Sequence, residues 1–312
     1  MTPASTNLPD LSVSVAGIEL KNPIIAASGT FGYGIEFEDI VHLDRLGGFV
    51  VKGLSKEPMT GNPPPRLFET PAGMLNAIGL QNIGARAFLD EKLPALRQKK
   101  NIVVFANVFG YTRPDYEHTI EILNEGEGIA AYELNVSCPN TAHGGIQFGS
   151  DPHLLDEVVR YTKRIAKRPL IVKLSPNVTS IAQMARVAEE AGADAISLVN
   201  TFLAMAIDAE TRRPRIANVT AGLSGPAIKP IALRMVYDAA HSVKIPVIGM
   251  GGITTAVDVI EFMLAGASAV QMGTASYFDP VATEKLVDEL TNYCREHRIQ
   301  KIREVTGGML TD

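Results

Sequence analysis

Cysteine is scarce in this chain: Cys138 and Cys294 are the two thiols in 312 residues. They lie far apart in dissimilar contexts, which fits a reducing compartment better than a disulfide framework, and two thiols cannot hold an iron–sulfur cluster by themselves. No lysine or arginine run is long enough to track phosphates, and the net charge of −5 is modest, so nucleic acid is excluded as a main partner. No uninterrupted apolar stretch approaches the roughly 20 residues of a membrane span, and residues 1–10 form a polar leader without the regions of a signal peptide. The expectation is a cytoplasmic protein with no membrane contact and no metal site. A first strand–helix unit opened by Gly-x-Gly-x-x-Gly is also missing, and Gly249-Met-Gly251-Gly252 arrives only late in the chain. A Rossmann fold holding a dinucleotide is therefore excluded.

What is present is one grammar, repeated. After the leader, residues 11–20 alternate apolar and polar and turn at Gly17, which predicts a short hairpin plugging one end of the fold. Short apolar strands are then read at 22–29, 49–53, 102–107, 132–140 (a strand run ending in the polar loop that carries Cys138), 170–174, 195–200, 246–252 and 269–274. Helices follow at 36–45, 85–99, 114–124, 152–166, 181–191, 228–243, 256–264 and 281–296. Near-continuous apolar strands alternating with amphipathic helices argue for a parallel sheet covered on its outside, and eight such units predict one (β/α)₈ TIM barrel domain over 1–312. A doubly wound sheet is the runner-up. Long βα loops are expected over the C-terminal face, above all the loop from Gly61 to Gly84.

A barrel carries its chemistry at the C-terminal ends of its strands. Collected there are Ser28, Lys52, Asn107, Asn135 with Cys138, Lys173, Asn200 with Thr201, Gly251 with Gly252, and Gly273 with Thr274. Single Asn or Ser residues at such positions are often turn caps, and a lone Cys is often a small buried hydrophobe. Two strand-terminal lysines are harder to explain that way, because a lysine in the barrel mouth must find an anionic or strongly accepting partner to offset its desolvation. The glycines after strands seven and eight suit a phosphate cup built from backbone N–H groups, with Gly225 able to close over it. They do not say whether the phosphate belongs to a flavin or to a substrate.

Four motifs in order, Asn76-Ala-Ile-Gly-Leu-Gln-Asn82, Asn135-Val-Ser-Cys138-Pro-Asn140, Leu223-Ser-Gly225-Pro-Ala-Ile-Lys-Pro230 and Gly249-Met-Gly-Gly-Ile253, resemble the dihydroorotate dehydrogenases, specifically the catalytic subunit of the NAD-dependent class 1B form. The resemblance runs from about Leu11 to about Thr306. It implies a flavoenzyme that uses FMN to oxidise (S)-dihydroorotate to orotate in pyrimidine biosynthesis. It implies Cys138 as the base that removes the C5 proton, while the C6 hydride passes to flavin N5. The flavin would be lined by Ser28, Lys52, Gly53, Asn107, Asn135, Lys173, Val199, Gly225, Gly251, Gly252, Gly273 and Thr274. The substrate would be held by Lys52, Asn76, Ala77, Ile78, Gly79, Leu80, Asn135, Asn200 and Thr201. It also implies a homodimer of this chain inside a heterotetramer, whose second subunit carries FAD and a [2Fe–2S] cluster and delivers electrons to NAD.

Competing readings are a fumarate-using class 1A dihydroorotate dehydrogenase, a dihydropyrimidine dehydrogenase-like flavin reductase, and a catalytically silent barrel serving as a scaffold subunit. Electron exchange of the bound flavin with dihydroorotate or with uracil separates a dihydroorotate dehydrogenase from the dihydropyrimidine dehydrogenase-like reductase, fumarate turnover tests class 1A, and protein that takes up no flavin would favour the scaffold.

Overall fold

Stretches such as Leu170–Lys173 and Ala195–Leu198 bury every residue, as strands of a parallel sheet covered on both faces do. The computed structural model describes residues 8–137 and 148–311. Eight fully buried strands, Ile24–Ala26, Gly48–Val50, Val104–Val108, Ala131–Asn135, Leu170–Lys173, Ala195–Leu198, Val247–Met250 and Ala269–Met272, follow one another in parallel around a closed barrel. The eighth closes on the first through Val270 opposite Ile24. The chain is thus the predicted (β/α)₈ barrel. The hairpin precedes it as Val13–Val15 paired with Ile18–Leu20, turning through Ala16 and Gly17, both at positive φ. Val13, Val15 and Leu20 join the core.

The outer helices begin where capping chemistry stops the preceding loop. Thr112 with Asp115, and Thr255 with Asp258, form reciprocal capping boxes at Arg113–Leu123 and Ala256–Leu264. Asp151 and Ser180 cap Pro152–Ile165 and Ile181–Glu190. The helices Lys229–Ala240 and Ala282–Glu296 complete the ring.

Three features depart from the sequence reading. No α-helix forms over 36–45; two 3₁₀ turns, Ile35–Phe37 and Leu43–Arg45, stand there instead. Glu36 turns its carboxylate back to accept from the Tyr33 N–H, and the His42 N–H donates to Glu284 of the last helix, so backbone groups that a helix would use are satisfied from outside. The helix expected over 85–99 is broken in character: Ala85–Ala87 passes into a π turn, Phe88–Lys92, before Leu93–Gln98. Pro94 accounts for this, since it lacks an N–H and its ring displaces the carbonyl four residues back. Finally, the long loops after the second and sixth strands are not irregular. They pair as a four-stranded antiparallel sheet, Phe202–Met205, Thr220–Ser224, Gly73–Asn76 and Leu67–Thr70, standing over the C-terminal face.

At the opposite end the chain passes from the first helical connection into the second strand through a tight crossing. Asn22 is 3 % exposed, donates to Arg45 O and accepts from the N–H groups of Ile24 and Gly47. A Cβ on Gly47 would lie 2.1 Å from the Asn22 carbonyl oxygen, with backbone on both sides and nothing flexible to yield. Gly47→Ala is expected to cost about 2–4 kcal/mol. Gly307→Ala, where φ is +70° but no atom lies within 4 Å, should cost only the ~1–2 kcal/mol of a left-handed alanine. Urea denaturation of the two variants checks this, and a smaller loss for Gly47→Ala than for Gly307→Ala would contradict the packing account.

Candidate active site

A cavity of about 440 Å³ opens at the C-terminal mouth of the barrel, between the strand ends and the four-stranded sheet. That size suits a cofactor or small-molecule site. Ser28, Lys52, Gly53, Asn107, Asn135, Lys173 and Val199 line it from the strand ends, and Gly225, Gly251, Gly252, Gly273 and Thr274 line its far corner. Asn76, Ile78, Gly79, Leu80, Asn200 and Thr201 line the side beneath the sheet. Ala77 does not: its methyl, 1 % exposed, packs with Leu75, Ile216 and Ala221 in a small core of the sheet's own. The alternation of a strand explains this placement of the methyl, because Asn76 and Ala77 are neighbours and face opposite sides. Cys138 lies outside the described residues, as do Pro139 and Asn140. Cys294 is buried within the last helix, where burial pushes its thiol up to about 11.

Each wall has a physical cause. The sheet fixes Asn76 opposite Gly222, with its side-chain N–H₂ donating to the Gly222 carbonyl at 3.4 Å. Gly222 has to be glycine, since a Cβ there would sit 2.0 Å from Thr201 Oγ1. At the end of the fourth strand, Asn135 Oδ1 accepts from Ser137 Oγ at 2.9 Å and from Asn200 Nδ2 at 3.3 Å, and Asn200 Nδ2 also donates to Ser137 Oγ. Tyr116 donates to the Asn135 carbonyl from outside the barrel. Asparagines 135 and 200 are thereby held as one amide cluster rather than as independent caps. At the far corner Gly225, Gly251 and Gly252 all have positive φ, and added side-chain carbons would meet Gly73 at 2.7 Å, Ala232 at 2.6 Å and Lys229 at 2.8 Å. Thr274 donates to Ser224 Oγ at 2.8 Å, and a short helix, Ala275–Phe278, follows. A glycine cradle between strand ends seven and eight is the setting in which barrels bind phosphate through backbone N–H groups.

The floor of the cavity is unusual for a barrel interior, where branched apolar side chains normally stack. Glu133, fully buried, accepts from Asn107 Nδ2 at 2.8 Å, Ser197 Oγ at 2.9 Å and Gln271 Nε2 at 2.5 Å. Lys173 Nζ stands 3.8 Å from the same carboxylate. With both amide N–H₂ groups committed to Glu133, Asn107 Oδ1 and Gln271 Oε1 remain buried without a partner. Both residues line the cavity, so two unpartnered carbonyl oxygens lie buried in its floor beside a cation. A planar ring bearing N–H and C=O groups with a phosphate tail, as FMN does, fits this set: acceptors and a lysine for the ring, the glycine cradle for the phosphate. Glu133, Ser197 and Gln271 carry no role in the sequence reading, although Glu133 stands two residues before Asn135 and so shares its face.

Among the described residues no three His, Cys, Asp or Glu side chains are grouped to hold a metal, and no helix is long and apolar enough to cross a membrane.

The family model for dihydroorotate dehydrogenase matches residues 10–293. A Solibacter usitatus protein, named provisionally as dihydroorotate dehydrogenase A (fumarate), is 62% identical over 96% of this chain and 98% of its own. The dihydroorotate dehydrogenase B (NAD(+)) catalytic subunit of Geotalea uraniireducens is 54% identical over 97% of this chain and 99% of its own. That of Geobacter sulfurreducens is 53% identical over 96% and 98%.

Lys52 gives the site a measurable signature in the absence of ligand. Burial, reinforced by the positive charges of Arg66 and Lys173, lowers its pKa to about 8. Between that value and the ordinary lysine range near ~10.4 the unfolded chain binds a proton that the folded chain does not, so stability from this group rises with pH across the window. Below about 8 the folded protein bears the full cost of a buried cation. Lys52→Met should therefore stabilise the ligand-free protein by roughly 2–3 kcal/mol at neutral pH, with the gain fading towards pH 10. Denaturant unfolding at several pH values checks this; a variant less stable than the parent at pH 7 would contradict it.

Proposed function

The chain belongs to the dihydroorotate dehydrogenase family, and we propose that it oxidises (S)-dihydroorotate to orotate in pyrimidine biosynthesis with one FMN held in the barrel-mouth cavity. The observation that carries this reading is the convergence in one cavity of a glycine cradle, two lysines and the amide cluster of Asn135 and Asn200. FMN supplies the hydride acceptor when bound; the protein supplies position, charge and a base.

Backbone N–H groups at Gly225, Gly251, Gly252, Gly273 and Thr274 would hold the phosphate. Lys173, a buried cation lining the cavity, would favour a ring that gains negative charge, and so the reduced form. Asn76, Asn135 and Asn200 offer mixed donors and acceptors to the polar edges of the pyrimidine, while Lys52 meets its carboxylate. Cys138, three residues past Asn135, the last residue of the fourth strand, would take the C5 proton on its sulfur as the C6 hydride departs. Substrate thus loses one proton and one hydride, two electrons in all, and becomes orotate.

The acceptor beyond the flavin is NAD, reached through a second subunit carrying FAD and a [2Fe–2S] cluster, in a cytoplasmic heterotetramer built around a dimer of this chain. Support comes from the relatives named as NAD(+)-type catalytic subunits, and from a sequence with two cysteines and no dinucleotide fingerprint. The second reading is direct use of fumarate, favoured by the 62% identical relative whose name carries that acceptor.

Anaerobic addition of dihydroorotate should bleach the flavin of the isolated chain. Cys138→Ala should keep its FMN yet be reduced roughly 10²–10⁴-fold more slowly, while Cys294→Ala is unaffected. The same isolated chain should turn over with artificial acceptors but neither with NAD nor with fumarate. Fumarate turnover at the rate of artificial acceptors would move the assignment to the second reading, and a flavin inert to dihydroorotate would refute the first.

A further inference from the structure

We infer that Glu133 is a positioning residue for the redox chemistry of this site: it fixes the donors and acceptors of the cavity floor and sets how strongly the bound flavin favours its reduced form. The inference rests on the FMN reading above and deepens it. Glu133 does not itself line the cavity, nor does Ser197; its partners Asn107, Lys173 and Gln271 do.

Three donors from three different strands converge on its two oxygens: Asn107 on Oε1, Ser197 and Gln271 on Oε2. A carboxylate can only accept, so it decides the orientation of both amides and turns Asn107 Oδ1 and Gln271 Oε1 away, where they have no protein partner. A neutral side chain in its place would leave the amides free to rotate and present N–H where the floor now presents C=O. The two unpartnered oxygens suit a ligand bringing N–H groups, and their orientation is set by a carboxylate one residue below the cavity surface.

Charge is the second consequence. Glu133 has no exposed surface and Lys173 is 6 % exposed, so their 3.8 Å separation lies in a medium that screens poorly. The carboxylate offsets part of the positive field that Lys173 projects into the cavity. Removing its charge leaves the lysine uncompensated and strengthens the preference for a negatively charged, reduced ring. Removing a donor from the carboxylate acts in the opposite sense, because its negative charge is then less well satisfied by the protein.

The test uses the FMN-loaded chain and measures the flavin midpoint potential by anaerobic equilibration with a reference dye, alongside FMN affinity of the ligand-free protein from fluorescence quenching. Glu133→Gln should raise the two-electron reduction constant at least tenfold, about 30 mV, and weaken oxidised FMN. Glu133→Asp, which keeps the charge, should stay within threefold of the parent even where it lowers thermal stability as much as Glu133→Gln does. Ser197→Ala, which retains the carboxylate and is the gentler change should Glu133→Gln not fold, should lower the constant. A purely structural carboxylate predicts losses of stability with the potential unmoved in all three. An unchanged or lowered potential in Glu133→Gln, a Glu133→Asp shift as large as that of Glu133→Gln, or, where Glu133→Gln does not fold, an unmoved Ser197→Ala, overturns the inference. A parent protein that takes up no FMN would instead remove the reading on which it rests.

Discussion

One carboxylate inside the barrel governs the architecture of the mouth. Burying an ionisable group is tolerated only where hydrogen bonds or a counter-charge replace the lost water. Glu133 obtains both, from Asn107, Ser197, Gln271 and Lys173, and each of those partners comes from a different strand. The strands' relative heights are therefore tied together at the level where the cavity begins. A layer that in most barrels is filled by branched apolar side chains is here a polar network, and only its upper surface is incomplete. That incompleteness, two amide oxygens without donors, points to a ligand rather than to a folding defect, because a buried unpaired acceptor costs on the order of 1–3 kcal/mol until something donates to it.

The sheet over the mouth solves a different problem. Loops as long as those after the second and sixth strands would expose many backbone groups and lose their shape, yet here they pair with each other through Asn76 opposite Gly222, and the later loop pairs within itself through Phe202 opposite Leu223. The result is a rigid wall facing the strand ends, placing Asn76 and Ser224 on the same cavity as Lys52 and Lys173. Such a wall excludes water from the lysines, and the depressed pKa of Lys52 is its electrostatic trace. Affinity for an anionic substrate and instability without one thus have a common origin.

Much of this was legible in the sequence because barrel strands are short apolar runs whose last residues face one end, so Lys52, Asn107, Asn135, Lys173, Asn200 and the glycines could be gathered without knowing their distances. The helix expected over 36–45 failed because the competing partners, Tyr33 and the distant Glu284, are tertiary. The Ala77 methyl faces away from the cavity because pairing Gly73–Asn76 with two other strands imposes an alternation that a loop does not have. Glu133 was visible as a charge inside an apolar strand, on the face of Asn135. What the sequence does not carry is which residues complete its shell: Ser197 and Gln271 are 64 and 138 residues away, and only closure of the barrel brings them to it.

The central claim is that this mouth, with its glycine cradle and acceptor floor, is built for one flavin. Equilibrium titration of the ligand-free chain with FMN, followed by the loss of flavin fluorescence, tests it most directly. The account predicts a sharp break at one FMN per chain; unquenched fluorescence throughout the titration, or an endpoint other than one, would contradict it.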